Sequence, residues 1–350
     1  MASDAAFGSR SPVFVVAYAH SGTTMMRQVL CAAPEVFDCK NETRFFANLD
    51  AVQAVFNPIS NRSVRRELVH YVARILDTYG SPRIVPASDR CLDDDVANEI
   101  AAADNDHIGV FVDTVNYITE RAGKMRWLEK TPAHIYSANL IKDTVPTACF
   151  AEIVRSPFDA LASKKKRQEV AAANKGIAGR PQVDRFFHPL WDAISWRAAV
   201  RAGDAMRAAH PDSIVRVRYE DVVNAPEEAL SALCSRVGVS FVPEMLNIRR
   251  ANATGGGPKD RGISRLSVER WKDVLTPGEI AIISMIVGRT ARSVGYELPK
   301  GRFDASAARW VGRTISDPFE RTFAHARRTG WRSALSAVGR YRRRLLSSKK

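Results

Sequence analysis

The stretch Val13-Phe14-Val15-Val16-Ala17-Tyr18-Ala19-His20-Ser21-Gly22-Thr23-Thr24-Met25-Met26-Arg27-Gln28-Val29-Leu30 decides the fold. Its first six residues, Val13 to Tyr18, are β-branched, apolar or aromatic without a polar break, the composition of a buried strand. Four small or polar residues follow, Ala19-His20-Ser21-Gly22, and from Thr23 to Leu30 the residues Met26, Val29 and Leu30 recur at helical spacing. A strand that feeds a short glycine-containing turn into a helix gathers free backbone N–H groups and the positive end of the helix dipole, which suits a cluster of anionic oxygens. An ordinary tight connection between strand and helix has the same pattern, so the turn alone does not establish a ligand. The nucleoside-triphosphatase signature G-x-x-x-x-G-K-[ST] is absent, and no lysine stands in the turn to meet β- and γ-phosphates.

Further along the chain the same alternation returns. Arg126 to Lys130, Thr147 to Val154 and Ile214 to Tyr219 read as strands. Helices are expected from Thr131-Pro132 through Ile141, from Phe158 onward, over Asp192 to Ala209 and Glu227 to Val237, and around Val268 to Leu275 and Glu279 to Val294. Strands separated by helices imply right-handed crossovers and a central parallel sheet flanked by helices, an α/β fold. Residues from about 47 to 122 read as a helical insertion into that sheet, clearest at Arg65 to Leu76. The glycine run in Asn252 to Gly262 reads as a mobile lid. The expected organisation is a disordered N-terminus over 1–11, one domain over 12–300, and a basic C-terminal extension over 301–350.

Composition narrows the function class. With 350 residues, 45% hydrophobic and 26% charged, the chain is neither collagen-like, coiled-coil nor wholly disordered. The longest apolar run, Ile280 to Val287, is well short of the roughly 18–20 residues a membrane-spanning helix needs. The N-terminus lacks the apolar core and cleavage site of a secretory leader, so a cytoplasmic location is expected. Five cysteines without a C-x-x-C pair argue against a disulfide framework, and seven histidines without H-E-x-x-H spacing against a metal site. No metal is expected.

The net charge is +14, but Arg321 to Lys350 hold eight Arg and two Lys with no acidic residue, so most of it belongs to the tail. The basic pI is therefore not the footprint of a nucleic-acid-binding domain, and no specific nucleic acid is expected as a partner. Leu335, Val338, Tyr341, Leu345 and Leu346 recur at three- and four-residue steps opposite an arginine-rich face. That pattern points to an anionic membrane surface as a further partner, with the protein peripheral to it. A solvated basic extension is the competing reading.

Four segments in order carry a resemblance to a known family: the turn AHSGTT after its strand, Trp127-Leu128-Glu129-Lys130-Thr131-Pro132, Ile153-Val154-Arg155-Ser156-Pro157-Phe158-Asp159-Ala160 with Ser163, and Arg218-Tyr219-Glu220-Asp221-Val222. Together the chain resembles the sulfotransferase superfamily over about residues 12–300, with the P-loop-like nucleotide-binding fold that implies. Within it the pattern is most similar to the bacterial branch and the tyrosylprotein sulfotransferases, where a Glu in an E-T-R segment lies some twenty residues beyond the loop. Glu42-Thr43-Arg44 fits that spacing.

The resemblance implies in-line transfer of a sulfuryl group from 3′-phosphoadenosine-5′-phosphosulfate to an acceptor hydroxyl of a carbohydrate, a tyrosine or a small metabolite. Glu42 is implied as general base, a role a carboxylate in a partly desolvated cleft can fill. Lys130 is implied as the cation that neutralises charge on the leaving phosphate and the sulfuryl oxygens. His20, Ser21, Gly22, Thr23 and Thr24 are implied to hold the 5′-phosphosulfate, and Arg155 and Ser163 the 3′-phosphate, with Tyr219 near the adenine. The chain departs from the family at His20, which stands in place of the usual loop cation. A histidine lacks a permanent charge, so more rests on Lys130.

Read as isolated residues, Glu42 is a surface or capping glutamate, Lys130 a solvated lysine at a strand end, and Tyr219 a core tyrosine. Lys164-Lys165-Lys166-Arg167 reads as a solvated helix face, and Trp191, Trp196 and Phe186-Phe187 as core rather than an acceptor pocket. The rival functions are a P-loop-type phosphotransferase and a basic membrane- or nucleic-acid-binding protein with a degenerate nucleotide site.

Overall fold

The run Val13–Ala17 becomes β1, buried along its whole length, because it lies in the middle of a sheet. A computed structural model describes residues 11–77, 84–85, 92–173, 186–249 and 261–313. After β1 come α1 (Thr23–Leu30), β2 (Val36–Asp38), α2 (Leu49–Val55), α3 (Arg62–Asp77), α4 (Asp94–Ile100) and α5 (His107–Arg121). They are followed by β3 (Arg126–Glu129), a 3-10 turn over Pro132–Ser137, α6 (Ala138–Thr144), β4 (Cys149–Val154), α7 (Pro157–Ala173) and α8 (Pro189–Ala209). Then come β5 (Ile214–Arg218), α9 (Tyr219–Asn224), α10 (Pro226–Val237), α11 (Trp271–Val274) and α12 (Pro277–Ser293).

The strands form one five-stranded sheet in the order β2-β3-β1-β4-β5. β1 pairs in parallel with β3, with Phe14 beside Glu129, and with β4, where the register runs from Val13 beside Cys149 to Ala17 beside Ile153; β2 pairs in parallel with β3. The expected α/β architecture is present. β1 is flanked on both sides by strands later in the sequence, the switch point at whose C-terminal edge such sheets place their ligands. Lys130 follows β3 at that edge.

Two compact units emerge from the contacts. The first comprises Met1–Ala17, Gly22–Ile153 and Met206–Ile263, and the second Tyr18–Ser21, Val154–Ala205 and Ser264–Lys350, counting described residues only. The first holds the sheet. Its core is aromatic around Phe14, whose ring meets Phe46, Trp127 and Phe150 at centroid distances of 5.9, 5.3 and 5.4 Å. Each such side chain taken from water contributes roughly 1.5–3 kcal/mol. The second packs α7 against α11 and α12, with Phe158 against Trp271 and Phe187 against Trp310. A capping box closes the start of α12, Thr276 and Glu279 exchanging bonds.

The structure adds one strand to those expected and corrects other readings of the sequence. β2, only three residues long, has no periodicity to betray it, and exists because it docks on β3. Tyr219 does not end a strand but opens α9. The run Lys164 to Arg167 is not simply a solvated face: Lys164 pairs with Asp192 at 2.5 Å, and Lys165 pairs with the buried Glu279 at 2.8 Å. Trp196 and Phe187 are core, as expected, whereas Phe186 is exposed.

Cys39, Cys149 and Cys234 are buried thiols, and burial pushes those of Cys149 and Cys234 up to about 12. Cys91, most of the glycine-rich segment 252–262, the N-terminal ten residues and the tail from 314 lie outside the described residues. No single helix among the described residues is long and apolar enough to cross a membrane, although Arg265–Val274, which ends in α11, and α12 pass that test as a bent pair by length and composition only.

Candidate functional site

In the first unit α1 starts without help from side chains. Gly22, at φ 96 and ψ 13, occupies the capping position in the left-handed region, no side chain caps it, and no acidic residue stands in the first turn. The free N–H groups and dipole of this helix start are thus left for an anion. Thr23 is buried and Thr24 half-buried. The Tyr219 ring lies against Gly22: a Cβ built there would come within 2.6 Å of Tyr219 Cδ2. Tyr219 therefore packs directly on the backbone at Gly22. Gly22→Ala combines a left-handed Cβ with overpacking, so a loss on the order of 2–5 kcal/mol is expected in urea unfolding.

The same unit brings Glu42 and Lys130 together across 88 residues, Lys130 Nζ donating to Glu42 Oε1 at 2.7 Å. Lys130 is 7% exposed at the end of β3, while the Glu42 side chain keeps 31% of its surface. Arg44 Nη2 meets the other oxygen, Oε2, at 3.3 Å. A carboxylate reachable from solvent, beside a sequestered ammonium, can accept a proton while the ammonium faces developing negative charge.

Behind this pair lies a residue to which the motif reading assigned no role. Glu129 is fully buried and accepts from the Thr43 N–H (3.1 Å), the Thr43 hydroxyl (3.0 Å) and the Thr131 hydroxyl (2.5 Å), while His134 Nδ1 lies 2.8 Å from Oε2. Burial pushes its carboxyl up, but the charge and hydrogen bond of His134, the Thr131 hydroxyl and the Thr43 N–H outweigh burial and hold it below the ordinary carboxylate value. A depressed folded pKa contributes stability that is present above the unfolded value, about 4.3, and is lost as pH falls through the folded one. The urea midpoints of parent and Glu129→Gln should therefore differ most above about pH 5 and converge in acid.

The second unit carries the other candidates. His20 has φ 68, an uncommon left-handed conformation for a residue with a Cβ, and its carbonyl accepts from Arg155 Nη1 at 3.0 Å. Ser21 is buried, and its hydroxyl has no hydrogen-bond partner among the described residues. Arg155, 5% exposed after β4, also donates through Nη2 to the Ser267 carbonyl at 2.5 Å, and its own carbonyl accepts from Trp196 Nε1. Ser163 sits half-buried on α7. Asp159, in the first turn of α7, accepts from the Glu269 and Trp271 N–H groups at 2.9 and 3.1 Å and so fixes the turn that follows Ser267. Among the described residues no three His, Cys, Asp or Glu side chains gather to hold a metal ion.

A family model described as the sulfotransferase family matches residues 12–243. No curated protein matches the chain. Among solved structures, a sulfotransferase domain from the curacin biosynthetic pathway is 16% identical, covering 83% of this chain and 99% of its own, at a TM-score of 0.48. The sulfotransferase domain of the Synechococcus PCC 7002 olefin synthase is 16% identical over 83% and 97%, also at 0.48. A sulfotransferase from Mycobacterium avium is 15% identical over 84% and 79%, at 0.45.

Proposed function

The chain belongs to the sulfotransferase family, and from that premise we propose that it moves a sulfuryl group from 3′-phosphoadenosine-5′-phosphosulfate to the hydroxyl of an acceptor. The observation that carries this reading is the Lys130–Glu42 pair: a fixed cation and a solvent-reachable base at 2.7 Å, beyond the end of β3, an interior strand of the sheet. The residues fit such a donor. The start of α1 lacks a cap and an acid, and the Ser21 hydroxyl is buried without a partner.

His20, Ser21, Gly22, Thr23 and Thr24 would hold the 5′-phosphosulfate, with His20 in the place of a loop cation. Arg155 and Ser163 would hold the 3′-phosphate, and Tyr219 would back the loop at Gly22 and flank the adenine. The donor supplies an activated sulfuryl group whose sulfur–oxygen bond to phosphate breaks as one to the acceptor oxygen forms. Glu42 takes the acceptor proton, and Lys130 neutralises charge on the oxygens of the reacting centre. A carbohydrate, a tyrosine or a small metabolite offers the required hydroxyl. The sulfotransferase domain is assigned to 12–300, with 47–122 as its helical insertion; attachment of the basic tail to an anionic membrane concerns residues outside those described.

Calorimetric titration with 3′-phosphoadenosine-5′-phosphate and with ATP tests the reading. Metal-independent binding of the first and none of the second is expected; the reverse would replace sulfuryl transfer by phosphoryl transfer. Arg155→Ala should cost the 3′-phosphorylated nucleotide roughly 1.5–3 kcal/mol, the range for hydrogen bonds to a charged group. Because Arg155 also holds the His20 carbonyl, a smaller loss should extend to adenosine 5′-phosphate. Equal losses for both nucleotides would leave Arg155 a purely structural role.

A further inference from the structure

Glu42 sits in a strained piece of chain. Lys40 and Arg44 flank it at φ 47 and φ 52, left-handed conformations that residues with a Cβ adopt when their surroundings impose them. At Arg44 the cause is visible in the hydrogen bonds. Thr43 gives both its N–H and its hydroxyl to Glu129 Oε1, and the Arg44 N–H donates at 3.2 Å to the Thr131 hydroxyl, which itself donates to the same Oε1. The two residues after Glu42 are thus tied to the two residues on either side of Lys130. His134 Nδ1 occupies the other oxygen of Glu129 and stops the carboxylate from turning away.

We propose that Glu129 is the positioning residue of the transfer site: through Thr43 and Thr131 it holds the Glu42 carboxylate against the Lys130 ammonium. The catalytic meaning of this inference rests on the function proposed above, but its geometry does not. A carboxylate suits the task because one oxygen accepts three donors while the other faces His134, and an amide cannot offer two acceptor oxygens. Full burial leaves the donors no water to exchange into, so the link between the two segments has little play. The depressed carboxyl pKa of Glu129 agrees with an ionised acceptor at neutral pH.

The test is the rate at which acetic anhydride acetylates Lys130, followed by mass spectrometry on the full-length chain without nucleotide or acceptor. Lys272, more than half exposed, serves as the internal reference. Pairing with Glu42 protects Lys130 in the parent, so Glu129→Gln should raise its labelling several-fold relative to Lys272, and Thr43→Val should raise it less. In a Glu42→Ala background, which removes the acceptor of Lys130 altogether, adding Glu129→Gln should raise it no further; a merely structural role would give additive effects. Unchanged Lys130 labelling in a folded Glu129→Gln, or additivity in the double variant, would overturn the proposal. If Glu129→Gln does not fold, Thr43→Val decides alone: unchanged labelling there overturns it. A chain that fails to bind 3′-phosphoadenosine-5′-phosphate would sink the proposed reaction and leave this measurement standing.

Discussion

Lys130→Ala should lower the rate of sulfuryl transfer by roughly 10²–10³-fold, the scale on which a preorganised charge stabilises a transition state. The side chain is 9% exposed, so its ammonium sits where water screens little, and it is already oriented by the 2.7 Å contact with Glu42. The loop after β1 holds no lysine or arginine and has His20 instead, so no permanent loop charge is present to take over. The fold should tolerate the change, because Glu42 keeps Arg44 at 3.3 Å and stays partly in solvent. Affinity for 3′-phosphoadenosine-5′-phosphate should fall much less than the rate, since the charge matters most as the sulfuryl group leaves. Lys130→Arg should not restore the rate, because a planar fork cannot replace a point charge on a short reach. Single-turnover rates measured beside calorimetric affinities separate the two effects. A turnover within a factor of about three of the parent would remove Lys130 from the chemistry.

How much of this was legible in the sequence depends on whether the cause of each feature is local. The run Val13 to Tyr18 reads as a strand, and Thr23 to Leu30 as a helix, because continuous burial and a three-to-four spacing leave direct marks; the structure ends the strand one residue earlier, at Ala17. β2 leaves no mark, since three residues become a strand only by pairing with β3, ninety positions later. Lys165 reads as solvated because nothing near it in sequence announces Glu279, 114 residues away and 2% exposed.

The site divides in the same manner. Glu42 and Lys130 are legible as residue types in a family pattern, but their contact across 88 residues is not. The run Glu129-Lys130-Thr131-Pro132-Ala133-His134 contains a clue in its acid and histidine five positions apart. It becomes informative only once β3 gives way to the 3-10 turn that brings His134 back onto Glu129.

Glu42→Gln should reduce turnover by about a hundredfold or more, the lower end of what general-base catalysis contributes, with nucleotide affinity nearly unchanged. Glutamine preserves the shape and can still accept from Lys130 and Arg44, so the variant isolates the loss of a proton acceptor from the loss of a contact. Its stability should lie within about 1 kcal/mol of the parent, because the Glu42 side chain is 31% exposed and its partners form a partly solvated ion pair. If Glu42 acts only in the transition state, kcat and kcat/KM for the acceptor fall together, whereas a role in binding the acceptor would raise KM and spare kcat. Glu42→Asp draws the carboxylate back by one methylene and should recover part of the rate, as expected of a base whose reach matters as well as its charge. A Glu42→Gln protein that transfers sulfuryl groups at the parental rate would leave the Lys130–Glu42 pair a structural ion pair, and the base would have to be sought on the acceptor itself.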